Sequence, residues 1–230
     1  MTITLYELCG REDRRFSPYC WRTRLALAHK GLNYETVPIR FCDKNLIAFS
    51  DQDRVPVIRD GDRVVNDSWS IACYLEDSYP DRPSLFGGGA ARAMTRFFNA
   101  WTDNEINFKA VPLVVKDVYE QVDDADRDYF LESREQRFGM SLDTLHAARD
   151  DKRSALQAAF APARAIVQDR AFFAGDAPAY ADYILMGTLQ WLRLISGYRF
   201  LEPDDPILAW RARMLDRLGP VLSDVAALDS

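Results

Sequence analysis

Apolar and polar residues alternate with a period of two over Thr2-Ile-Thr-Leu-Tyr-Glu7, which predicts a β-strand over residues 2–7. A polar loop follows at 10–15. Trp21, Leu25 and Ala28 then recur at helical spacing, and Gly31 predicts the stop of that helix. Tyr34 to Ile39 predicts a second strand, and residues 43–51 an irregular or weakly helical stretch. Val55-Pro-Val-Ile58 and Arg63-Val-Val65 flank Asp60-Gly61, the pattern of a hairpin. Asp67-Ser68 opens a helix whose apolar positions are Ile71, Ala72 and Leu75. The predicted order is β-α-β-α-β-β-α within residues 1–78.

Residues 79–89, with two prolines and three glycines, predict a linker. Beyond it the apolar spacing is three and four. Helices are predicted over 90–118, about 126–149, 152–169, 181–197 and 206–218, punctuated by Pro178, Pro203, Pro206 and Pro220. All strand signals precede residue 66. The expected architecture is therefore a small α/β domain at 1–78 followed by an all-α helical bundle at 90–230.

Composition narrows the function classes. Of 230 residues, 48% are hydrophobic and 28% charged, the balance of a globular protein. A net charge of −6 argues against general binding to nucleic acid or anionic membranes. No apolar run approaches the ~20 residues that span a bilayer. The opening residues run straight into the strand pattern, without a basic and then apolar leader. Cys9, Cys20, Cys42 and Cys73 are scattered, and only His29 and His146 accompany them, so no metal site is expected. A reduced, cytoplasmic chain is the expectation.

The chemistry concentrates at Ser17-Pro-Tyr-Cys20. A Cys-x-x-Cys at this strand-to-helix turn would be a dithiol redox site. Here Ser17 takes the first position, and Cys20 is left as a small residue expected to be buried. Ser17 and Pro18 suit the N-cap and first turn of a helix, and capping alone would account for them. Three further features point outward. Pro56 at the head of a strand, if cis, would expose the backbone of Val55 to an extended peptide. Asp67 and Ser68 at the next helix start would suit an ammonium and a carboxylate. Arg40, Lys44 and Arg54 offer a partner for a second carboxylate. A ligand with an amino-acid head group, an extended middle and a distal carboxylate fits this set. Glutathione fits, and its thiol would fall near Ser17. The helix terminus and the Ser17 hydroxyl would then stabilise a thiolate that the ligand supplies.

Residues 1–78 resemble the thioredoxin-like glutathione-binding domain of cytosolic glutathione transferases, and the helical remainder resembles their second domain. Ser17-Pro-Tyr-Cys-Trp-Arg-Thr-Arg, Val55-Pro56-Val and Asp67-Ser68-Trp-Ser-Ile-Ala-Cys-Tyr-Leu carry the resemblance. It implies a transferase with glutathione as co-substrate. Ser17 would be the thiolate partner, Val55 would bind the cysteinyl backbone, and Asp67 and Ser68 would bind the γ-glutamyl group. A narrower likeness, to the bacterial glutathione-dependent β-etherase branch, rests on Ser17-Pro-Tyr-x-Trp-Arg-Thr, the Phe97/Trp101 region, Ser133-Arg-Glu-Gln-Arg-Phe138 and Phe172-Phe-Ala-Gly-Asp-x-Pro-x-Tyr-Ala-Asp-Tyr183. In that branch the thiolate attacks a carbon bearing an aryl ether. Two departures stand out: Ala179 replaces the usual Ser/Thr of a Ser/Thr-x-x-Asp helix start, and residues 50–54 lack the common Asn-Pro before Val-Pro.

An acceptor pocket is expected between the domains, facing Ser17 and lined by Tyr19, Phe97, Trp101 and Asn104, for a hydrophobic, aromatic electrophile. The likeness also implies a homodimer. Three other classes share these features: a non-catalytic glutathione-binding or assembly module, a glutathione-dependent isomerase, and a thiol oxidoreductase using Cys9 or Cys20.

Overall fold

The computed structural model describes residues 2–222 and residue 228. Its strands are β1 (Ile3–Leu8), β2 (Tyr34–Ile39), β3 (Val57–Asp60) and β4 (Arg63–Asn66). They form one mixed sheet in the order β2-β1-β3-β4. β2 runs parallel to β1, while β3 is antiparallel to both β1 and β4. The period of two in β1 buries Ile3, Leu5 and Glu7 on one face. Two of these are ordinary core residues, and the third is a carboxylate.

Helix α1 (Pro18–His29) connects β1 to β2, and α2 (Ser68–Ser78) follows β4. Gly31 has φ 61°, the left-handed conformation that lets the chain leave α1 and enter β2. The stretch at 44–50 forms a 3-10 turn. Helices α3 (Gly89–Trp101) and α4 (Phe108–Gln121) join through a π-helical turn, Thr102–Asn107, into one long rod. The remaining helices are α5 (Arg127–Phe138), α6 (Leu142–Ala147), α7 (Arg149–Ala159), α8 (Ala161–Asp169), α9 (Tyr180–Ile195) and α10 (Pro206–Leu222). The chain thus has a thioredoxin-like N-terminal domain followed by a helical one.

Two expected helices are each divided. Gly139 at φ 67° ends α5 and separates it from α6 and α7, and Pro162 enters α8 just after α7 has closed at Ala159. The helical stretch expected to run to 230 passes, after Leu222, beyond the described residues.

Helix α9 is the keel of the molecule. Only Ala181 and Arg193 escape burial along it, and its most extensive partner is α1. Close approach of the two backbones depends on Gly187. A Cβ there would stand 2.4 Å from the Pro18 carbonyl oxygen and 3.1 Å from Arg22 Cγ. The start of α9 has no side-chain cap from Ala179. Asp182 makes up for it, accepting the N–H groups of Ala179 (3.1 Å), Phe173 (2.9 Å) and Ala174 (3.2 Å) and the Trp210 indole N–H (3.0 Å). The half of the capping box that the sequence retains therefore carries the whole turn. Among the described residues, no helix is long and apolar enough to cross a membrane, and no group of three or more His, Cys, Asp or Glu side chains could hold a metal ion.

Candidate active site

Strand register brings the sequence-predicted residues to one end of the sheet. β1 pairs Tyr6 with Val57, so extending that ladder sets Val55 beside Leu8 at the C-terminal end of β1. β3 pairs Val57 with Asn66, so the same extension sets Ser68 opposite Val55. The loop after β1 delivers Ser17 to the start of α1 at that end, and β2, parallel to β1, delivers Arg40 there as well.

Ser17 is buried and caps α1: its Oγ accepts the Cys20 N–H at 3.3 Å. Capping uses an oxygen lone pair and leaves the hydroxyl proton available to donate, so one side chain can serve both uses. The Val55-Pro56 peptide is cis, and Val55 makes no backbone hydrogen bond among the described residues. Asp67 sits at φ 68°, and its carboxylate accepts the Ser70 N–H at 2.9 Å. Ser68 is buried, and its carbonyl accepts the Tyr180 hydroxyl at 2.7 Å, which ties the start of α2 to the start of α9.

The basic candidates already have carboxylate partners. Arg40 Nε donates to Asp43 at 2.8 Å and its Nη1 approaches Asp123 at 3.4 Å, while Lys44 bonds Asp53 at 3.0 Å. Arg54 approaches Asp53 at 3.9 Å. Asp126, nearly fully buried, accepts the N–H groups of Phe41 (2.8 Å) and Cys42 (3.0 Å) and pins the loop after β2 to the entrance of α5.

In front of Ser17 lies a cavity of about 230 Å³. Leu8, Phe16, Tyr19 and Phe41 form its sheet side. Asn107, Val111, Val115 and Val118 on the α3–α4 rod face them, with Phe130, Arg134, Arg137 and Trp191 closing the far wall. Tyr19 lines this cavity, and burial together with the nearby Asp103 carboxylate pushes its phenol up. Phe97, Trp101 and Asn104 lie outside this lining. Phe97 is 67% exposed, Trp101 packs on Phe98 at 5.1 Å between ring centres, and Asn104 donates back to the Ala100 carbonyl at 2.8 Å. Phe97 and Trp101 precede the π turn at 102–107 and Asn104 lies inside it, whereas the part of the rod that lines the cavity begins at the end of that turn, with Asn107. The spacing of Asn107, Val111, Val115 and Val118 is itself a legible helical stripe.

Arg22 fixes α1 against the helical domain. Its fully buried guanidinium donates to Asp103 Oδ1 at 2.7 Å, to Asn99 Oδ1 at 3.3 Å and to the Ile184 carbonyl at 3.3 Å, and it stacks on the Tyr19 ring at 4.8 Å. Asn107 donates to Asp103 at 3.1 Å and accepts from the Thr188 hydroxyl at 2.8 Å. The network therefore runs from α1 through the π turn to α9, immediately behind Tyr19. Cys20 and Cys9 are buried, and burial pushes their thiols up to about 12 and about 11, so both are protonated at neutral pH. His29 is structural. Its Nε2 lies 3.0 Å from the Ser84 carbonyl, which can only accept, so the proton is on Nε2 and Nδ1 accepts the Tyr183 hydroxyl at 2.7 Å.

Known proteins share this fold. The family model for the glutathione S-transferase N-terminal domain matches residues 16–78, and that for the C-terminal domain matches residues 93–213. The glutathione transferase GSTFuA3 of Phanerochaete chrysosporium superposes with a TM-score of 0.85 at 25% identity, covering 98% of this chain and 99% of that one. The glutathione S-transferase CsGST83044 of Ceriporiopsis subvermispora, solved in complex with glutathione, superposes with a TM-score of 0.79 at 25% identity over 97% and 99% of the two chains. Glutathione S-transferase Z1 of Arabidopsis thaliana is 41% identical over 69 residues, which span 28% of this chain and only 31% of that relative. A probable glutathione S-transferase of rice, GSTU6, is 27% identical over 210 residues, 86% of this chain and 80% of the relative. With the C-terminal model alone matching more than half of the 230 residues, this chain belongs to the glutathione S-transferase family.

Proposed function

We propose that this protein is a glutathione transferase whose Ser17 stabilises the glutathione thiolate for attack on a hydrophobic, aromatic electrophile. The observation that carries this reading is the position of Ser17. It caps α1 at the end of the sheet where Val55 and Asp67-Ser68 converge, and it lines the cavity in front of them. Val55, with no backbone hydrogen bond among the described residues, offers strand-type pairing to the cysteinyl residue, beside Pro56. Asp67 and the start of α2 at Ser68 would take the γ-glutamyl ammonium and carboxylate. Arg40 or Lys44 would take the glycyl carboxylate by exchanging an existing partner.

The thiolate would meet the positive end of the α1 dipole and the Ser17 O–H; Pro18 has no N–H to offer, and the Cys20 N–H is already held by Ser17 Oγ. Ser17 donates and removes no proton, since a serine hydroxyl stays protonated at neutral pH. The apolar wall of α4 and α5 then presents the acceptor carbon. An aryl ether is one such acceptor; the Ser17–Thr23 and Ser133–Phe138 motifs support it. The burial of Cys9 and Cys20 speaks against the thiol oxidoreductase.

The test is Ser17→Ala. Loss of one charge-assisted hydrogen bond should lower kcat by about tenfold to a hundredfold. A crystal soaked with glutathione should show sulfur within hydrogen-bond distance of Ser17 Oγ; a sulfur turned away from it overturns the reading. A homodimer belongs to the same proposal, supported by exposed Met94 (66%), Phe97 (67%) and Phe108 (72%) on α3 and the start of α4. A monomer in sedimentation would refute it.

A further inference from the structure

The far wall of the Ser17 cavity carries two positive charges in an otherwise apolar surface. Arg134 and Arg137 both lie on α5 and both line the cavity. Arg134 stacks its guanidinium on the Phe130 ring at 4.6 Å and faces Phe41 at 5.7 Å. Stacking uses the faces of the guanidinium and leaves its in-plane N–H groups to donate. One of them, on Nη1, reaches Ser133 Oγ at 3.0 Å. Arg137, three residues on, repels it. Among the described residues neither guanidinium has a carboxylate within ion-pair distance, in a chain with 35 acidic and 29 basic side chains. Burial accordingly pushes Arg134 below the usual arginine range.

Arg134, half-buried against Phe130, and Arg137, exposed one turn further along α5, both line this cavity with no counter-charge built in, so an anion entering it would meet two free guanidiniums. Val111, Val115, Val118, Phe130 and Trp191 supply the apolar surface beside them. We propose that the acceptor taken by this enzyme is a carboxylate-bearing aromatic electrophile, its carboxylate held by Arg134 and Arg137 while its ring lies on that wall and its reacting carbon faces Ser17. This rests on the transferase reading above and names its substrate class.

The test compares 1-chloro-2,4-dinitrobenzene with 4-chloro-3,5-dinitrobenzoate. With either acceptor the glutathione thiolate forms a C–S bond at the ring carbon that bears chlorine. The C–Cl bond then breaks with its electron pair going to chloride, and the thiol proton passes to solvent. Rates are normalised to the uncatalysed reaction. Wild type should favour the benzoate in kcat/KM, and Arg134→Met should reduce that preference by about tenfold to a hundredfold. Arg134→Lys should restore part of the preference, because it keeps the charge but not the fork. Arg137→Met, at an exposed position where folding is not at stake, should reduce it in the same direction. A wild type that conjugates the neutral acceptor but shows no preference for the benzoate overturns this inference and leaves the transferase reading standing. A fall in glutathione affinity in the Arg134 and Arg137 variants, read by calorimetry, also overturns it by assigning the guanidiniums to the tripeptide. A wild type that binds no glutathione and conjugates neither acceptor removes both readings together.

Discussion

Two arginine clusters flank the start of α1, and they are treated in opposite ways. Between the sheet and the helix, Glu7 takes Arg15 at 2.8 Å and Arg24 at 2.6 and 2.8 Å, with Asp13 closing on Arg15 at 2.6 Å. All three members of the Glu7 cluster are buried. Across the cavity, Arg134 and Arg137 rest on aromatic rings, and among the described residues no carboxylate lies within ion-pair distance of either. A burial penalty on charge is tolerated in the first case because the counter-charge is built in. In the second no counter-charge is built in, and the two guanidiniums are left to solvent or to an incoming anion. The difference separates charge that holds the scaffold from charge that is kept for a ligand, and it can be read without knowing the ligand.

The strongest way to break the contrast is Glu7→Gln. It removes the charge that two buried guanidiniums share, and stability should fall by about 3 kcal/mol, read as the urea midpoint at unchanged slope. A loss below about 1 kcal/mol would mean the sealed cluster is not a structural anchor.

A smaller effect concerns His29, on the other face of α1, where its ring meets Tyr183 of α9. Burial holds its pKa below the ordinary histidine value of 6.5, opposed by the Ser84 carbonyl and by Glu76 and reinforced by Lys30. The unfolded chain therefore binds the proton more readily than the folded one. The stability that neutral His29 permits is present above pH 6.5 and lost as pH falls through 6.5 toward the folded value. The slope cannot exceed about 1.4 kcal/mol per pH unit for one proton. His29→Gln should flatten it relative to wild type; an unchanged slope would place the titration elsewhere.

The smallest expected effect sharpens the comparison from the open side. Arg134→Met keeps the apolar stem against Phe130 and removes an unpaired charge, so stability should move by no more than about 0.5 kcal/mol in either direction. A destabilisation near that of Glu7→Gln would show that Arg134 belongs to the scaffold after all.

Much of this was legible in the residues themselves. The period of two at residues 2–7, the hairpin around Asp60-Gly61 and the stop at Gly31 all lie in local dihedral and burial preferences, and the elements formed within a residue or two of them. Ser17-Pro18 as a helix start is equally local, because the side chain and the amide that it caps are three residues apart. Which stripe of the α3–α4 rod faces Ser17 was not legible: Phe97 and Trp101 suggest a pocket by residue type, but the lining begins at Asn107, and the packing of one domain on the other decides that.

Sequence by itself determined the order of elements, the residues at the head of α1 and the family to which its motifs point, since each depends on neighbours along the chain. Tertiary structure alone decided which charges are answered. Glu7 meets Arg24 across 17 residues, Arg22 meets Asp103 across 81, and Arg134 meets no carboxylate among the described residues. Electrostatic matching depends on distance in space, and only folding brings those distances below the few ångströms at which a charge is either paired or left waiting.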